Sequence, residues 1–145
     1  MAELTDPRVA AFLSEGDRNG KLSYLREDRR PAVVPVWFVV DNGEIVFFTG
    51  RESPKAKAFA EDPRVAFLVD DGCPPYSYVS ITGVVAKSAE PERFDELLAK
   101  LVARYTPQED FEKTLQFFKG QDEALYRIRA TQVQAKFDLM NALPV

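Results

Sequence analysis

Polar and apolar residues alternate along Lys21-Leu22-Ser23-Tyr24-Leu25-Arg26, the period of a half-buried strand. The next run, Pro31 to Val40, is apolar at nearly every position and rich in β-branched and aromatic residues, so it predicts a strand covered on both faces. Asn42-Gly43 suits a type I′ turn, which needs positive φ at both central positions, and makes Glu44–Thr49 the return strand of a hairpin. A hairpin apolar on both faces needs two coverings: the domain's own core, and a partner subunit or ligand. Arg64–Val69 and Tyr76–Lys87 predict two further strands around a loop at Asp70–Pro75. The second carries Val79, Ile81 and Val85 on one face and Tyr78, Ser80 and Thr82 on the other. Leu125–Leu139 predicts a last strand with room for a bend.

Four helices punctuate these six strands. Pro7 to about Glu15 has Asp6 as N-cap and an apolar face of Val9, Phe12 and Leu13. Ser53 to Glu61 starts with Ser53 as cap and Pro54 at the first position. Pro91 opens the clearest helix, with Phe94, Leu97, Leu98, Leu101 and Tyr105 in one stripe. Thr106-Pro107-Gln108-Glu109 reads as a capping box for a fourth helix carrying Phe111, Leu115 and Phe118, and Gly120 ends it. The short antiparallel connections favour a closed or split barrel over a parallel sheet. Residues 1–145 read as a single domain.

Composition narrows the chemistry. A formal charge of -4 gives no global attraction to nucleic acid or anionic lipid. The polar, acidic start lacks a signal-peptide pattern, and no apolar run is long enough to span a bilayer, so a cytoplasmic protein is expected. The chain has no histidine and one cysteine, which removes the usual triad base and leaves no ordinary zinc ligand set. No metal site and no catalytic side chain are predicted; the hard chemistry belongs to something the protein binds.

Thr49-Gly50-Arg51-Glu52-Ser53-Pro54-Lys55-Ala56-Lys57 is the segment with an anion-binding character. A helix N-terminus offers unpaired N–H donors and a positive dipole end. Lys55 in the first turn faces that dipole unfavourably, a conflict that an intervening anion would resolve. On residue types alone an ordinary cap beside solvated lysines is the commoner meaning of this pattern. Trp37 and Tyr78 offer aromatic surface for a planar ring or for plain packing, and Pro35 marks an edge or bulge in its strand.

Taken in order, Gly20–Leu25, Arg30–Phe38, the Thr49–Lys57 segment, Asp62–Asp71, Pro74–Val79, Gly83 and Tyr126–Val133 resemble the pyridoxamine 5′-phosphate oxidase-like superfamily, and most of all its small branch that uses the deazaflavin coenzyme F420. The resemblance implies a mainly β domain, a six-stranded antiparallel split β-barrel with about four short helices, forming a homodimer with coenzyme at the subunit interface. It implies that Lys55, Ser53 and Lys57 contact the coenzyme phosphate. Pro35, Val36 and Trp37 would flank the ring, and Thr49 and Gly50 would approach its polar edge or tail. Arg51 and Tyr78 are further candidate coenzyme contacts, Tyr78 as an aromatic residue suited to a ring pocket. The implied activity is hydride transfer between F420 and a small conjugated organic substrate. An FMN-dependent oxidoreductase and a non-enzymatic F420 carrier or sensor are the alternatives. Without histidine, oxidation of the vitamin itself is not expected.

Overall fold

The computed structural model describes residues 2–142. Its elements are α1 (Pro7–Ser14), β1 (Gly20–Leu25), β2 (Pro31–Val36), β3 (Val39–Asp41), β4 (Glu44–Gly50), α2 (Pro54–Glu61), β5 (Arg64–Asp70), β6 (Tyr78–Lys87), α3 (Phe94–Tyr105), α4 (Phe111–Lys119) and β7 (Glu123–Lys136). All strands join one antiparallel sheet in the order β2-β1-β5-β6-β7-β4-β3. Mainly β with four flanking α-helices is therefore correct, but there are seven strands among the described residues, not six.

The extra strand arises from how the sheet curls. The run Pro31–Val40 is not one strand: β2 pairs with β1 at one edge of the sheet, and β3 pairs with β4 at the other. Only Trp37 and Phe38 lie between them. Three Cα steps reach at most about 11 Å, so the two sheet edges must approach each other there. The sheet is thus a half-barrel, and Trp37-Phe38 is its seam.

Inside the half-barrel lie Leu22, Phe38, Ile45, Phe47, Phe67, Val69, Ile81 and Ile128, each essentially inaccessible. On the outer side of β3 and β4, Val39, Val46 and Phe48 form a second cluster with Leu97, Leu98, Leu101 and Leu115 of α3 and α4. That corrects the expectation for the hairpin. For β3–β4 the second covering is supplied by the chain's own helices. The predicted hairpin turn is formed as expected, with φ of 52° at Asn42 and 74° at Gly43.

Several boundaries moved for local reasons. Tyr76 has a φ of 63° and stays in the loop, so β6 starts at Tyr78. Asp6 makes no side-chain cap bond. The capping box at Thr106 does not form either: its hydroxyl donates back to the Val102 carbonyl (2.8 Å), and Gln108–Asp110 form a 3-10 turn before α4. The last strand is bent as anticipated. Thr82 pairs with Gln132 but Gly83 pairs with Ala130, leaving Thr131 as a bulge. A Cβ at Gly83 would stand 2.5 Å from the Arg129 carbonyl oxygen, so only glycine fits beside the bulge.

Where α2 hands over to β5, Asp62 is buried and accepts a two-pronged pair from Arg64 (Nη2 at 2.7 Å, Nε at 3.0 Å), the Arg64 main-chain N–H, and Arg29. The Arg64 side-chain and main-chain bonds hold its carboxyl well below the usual range. A depressed folded value means that the stabilisation is complete above the unfolded value of about 3.9 and is lost as pH falls through the folded one. Urea denaturation from pH 5 downwards should show the wild type losing stability more steeply than Asp62→Asn. Parallel pH profiles for the two proteins would refute this contribution.

Candidate functional site

β4 ends at Gly50 and a tight turn leads into α2, so Thr49, Ser53 and Lys55 gather at the end of the barrel. Ser53 takes an extended conformation and caps α2, its Oγ accepting the Ala56 N–H at 3.1 Å. The Thr49 side chain is buried, with its hydroxyl 3.2 Å from Ser53 Oγ. Most main-chain donors of the turn are already used: Ser53 N–H bonds to Gly50, and Lys57 N–H to the Ser53 carbonyl. Pro54 has none. Among the described residues this leaves the Glu52 and Lys55 N–H groups without a partner, near whichever hydroxyl proton of the Thr49–Ser53 pair is free.

The surroundings complete the electrostatics. Arg51 is drawn to the start of β7: its Nε donates to Asp122 (3.1 Å), its Nη2 to the Glu123 carbonyl (3.2 Å), and its main-chain N–H to the Asp122 carbonyl. Glu123 pairs with Gly50 across the sheet and has a buried Oε2 with no hydrogen-bond partner. Burial pushes its carboxyl up, while Lys55 pulls it down and Asp122 adds to the rise. The turn itself offers a phosphate main-chain N–H donors, a hydroxyl and the nearby charge of Lys55.

The remaining predicted residues lie elsewhere on the chain. Lys57 is exposed, two residues from Lys55 and thus on a different side of α2. Pro35 is exposed on edge strand β2 opposite Lys21, and Val36 is half-buried against the core. Tyr78 starts β6, half-buried, between Asp70 and Lys136. Trp37 is committed to packing: its ring stacks on Tyr105 (5.0 Å, 2° between planes) and leans on Phe118. One chain therefore clusters Thr49, Gly50, Ser53 and Lys55, with Arg51 behind them, and presents Pro35, Trp37 and Tyr78 on other surfaces.

Glu123 was not picked out from the sequence; only its place opposite Gly50 in the sheet reveals it. Arg104 was missed too. From α3 it donates to the carbonyls of Leu13 (2.8 Å), Gly16 (3.0 Å) and Phe38 (2.8 Å), and the Tyr105 hydroxyl accepts the Phe38 N–H and donates to Arg18 (2.7 Å). These two side chains fasten the barrel seam to α1. Among the described residues no helix is long and apolar enough to cross a membrane.

Comparison with known proteins extends this picture. The family model described as pyridoxamine 5′-phosphate oxidase matches residues 5–137. A conserved hypothetical protein of Mycobacterium tuberculosis superposes with a TM-score of 0.81 at 27% identity, covering 97% of this chain and 89% of the other. A structure described as an F420 reductase gives a TM-score of 0.64 at 23% identity, covering 86% and 94%. A 62-residue stretch, 41% of this chain, is 37% identical to uronate isomerase of Streptococcus equi subsp. zooepidemicus. The chain spans only 13% of that curated relative.

Proposed function

The chain belongs to the pyridoxamine 5′-phosphate oxidase family, and on that premise we propose that it is an oxidoreductase using a phosphate-bearing flavin-type coenzyme, the deazaflavin F420. The observation that carries this reading is the Thr49–Ser53–Lys55 cluster, with the Lys55 N–H left free at the turn. Ser53 and Lys55 would hold the phosphate, and Thr49 would fix the Ser53 hydroxyl. The coenzyme supplies hydride transfer to or from a small conjugated substrate. The protein's share is binding, orientation and exclusion of water. The F420 reductase of the same fold supports F420 in particular. The uronate isomerase match covers too little of that protein to lend this chain its activity.

A second copy of the chain belongs to the proposal. Pro35 and Tyr78 do not reach the α2 turn within one chain. The outer face of β2, β1 and β5 leaves Val33 67% and Leu68 36% exposed. We place the dimer contact there, bringing one protomer's β2 toward the partner's coenzyme.

FMN is the second reading, because a terminal phosphate suits the same cluster. A carrier or sensor is the non-enzymatic one. Fluorescence titration with F420 and FMN side by side tests all three. The proposal expects saturable F420 binding, at least about tenfold tighter than FMN, and oxidation of reduced F420 by some member of a panel of conjugated acceptors. Tighter FMN binding would replace the coenzyme assignment, F420 binding without turnover would make the protein a carrier, and no binding of either would end the proposal.

A further inference from the structure

A second cleft lies on the other side of α2, between that helix and the ends of β6 and β7, with a volume of about 390 Å³. That is within the range of small-molecule sites, at its lower end. Its rim is basic: Arg51, Lys57 and Lys87 line it, and no carboxylate does. Arg51 is partly neutralised by Asp122, but neither Lys57 nor Lys87 has an acidic partner within 4 Å among the described residues. Three cations around one concavity repel each other unless an anion joins them.

The floor gives an independent pointer. Tyr126 is 6% exposed, packs edge-on to Phe59 at 5.4 Å, and lines the cleft. Its hydroxyl makes no hydrogen bond to any described residue, yet it is not among the fully buried unpaired polar atoms. The hydroxyl therefore keeps solvent contact while the ring is buried, and the cleft that Tyr126 lines is where a ligand could take the place of that water. Burial pushes the phenol up, with Arg51 pulling the other way, so at neutral pH it is a donor. Lys87 is the cross-strand partner of Tyr126, which sets ammonium and phenol on the same face of the sheet. Phe59 and Val85 add apolar wall.

We propose that this cleft is a binding site for a small organic carboxylate, its charged end held by Lys57, Lys87, Arg51 and the Tyr126 hydroxyl and its apolar body resting on Phe59 and Val85. An O–H to carboxylate bond is short and strong, and the flanking ammonium groups gain from the cleft's low-dielectric walls. Inorganic phosphate would satisfy the charges but leave the apolar wall uncovered.

Ligand-observed NMR titration of the full chain, free of coenzyme, with benzoate and phenylacetate tests this, with benzyl alcohol as the uncharged control. The expected result is saturable binding of the acids, at least about tenfold tighter than the alcohol. Lys87→Gln and Lys57→Gln should each weaken it several-fold. Tyr126→Phe should do the same while keeping the wild-type circular dichroism. If Tyr126→Phe unfolds, the lysine variants alone decide. No saturation of either acid at 20 mM, equal binding of acid and alcohol, or affinity unchanged in both lysine variants would overturn the proposal. Since no coenzyme is present, such a failure leaves the coenzyme reading standing, and failure of that reading leaves this cleft intact.

Discussion

Replacing Lys55 by alanine weakens coenzyme binding by about 1.5–3 kcal/mol, the range for a hydrogen bond to a charged group, or roughly 10- to 150-fold in Kd. The loss falls on affinity and not on folding, because the Lys55 side chain makes no hydrogen bond or ion pair to a described residue. Ser53→Ala acts differently. It removes both the cap on Ala56 and the partner of Thr49, so it should reduce thermal stability as well as affinity. A Lys55→Ala protein whose affinity matches wild type in the fluorescence titration would remove the phosphate assignment. Lys55→Arg should recover part of the loss, since the charge is kept and only the shape changes.

Arg104→Met is expected to destabilise the fold by about 3–5 kcal/mol, because it removes several part-buried hydrogen bonds from a charged group at once. The side chain gives three short bonds to carbonyls of two segments and lies over the Phe38 ring at 4.6 Å. Methionine fills much of the space but leaves those carbonyls without their donor. Burial also pushes the guanidinium pKa down, yet its ordinary value is so high that it remains charged at every working pH. Arg104→Lys should retain part of the stability, since one ammonium cannot reach three carbonyls in different directions. Urea midpoints measure both variants. A loss below about 1 kcal/mol for Arg104→Met would show that the seam does not depend on this clamp.

Some local features of the chain were readable from its sequence, although the Asp6 cap and the Thr106 capping box did not form. Asn42-Gly43 and Ser53-Pro54 dictate their turn and cap through residue chemistry, and both form as expected. What depends on sheet closure was hidden. The break at Trp37-Phe38 follows from two sheet edges meeting, and no pattern within Pro31–Val40 signals it. The double apolar character of the hairpin was seen, but α3 and α4 supply its cover from more than forty residues away. For the same reason the sequence left Trp37 open between a ring platform and plain packing, and its flat face is spent on Tyr105. Glu123, Tyr126 and Arg104 owe their importance to partners 66 to 91 residues distant or across the sheet.

The central claim is that an anionic group of the coenzyme docks on the turn that begins α2. A crystal grown with F420, or soaked with FMN, reads this directly. The account predicts phosphate density within hydrogen-bonding distance of the Ser53 hydroxyl, the Lys55 N–H and the Lys55 ammonium, with the lysine turned toward it. Coenzyme bound elsewhere, with no density at this turn, would contradict it.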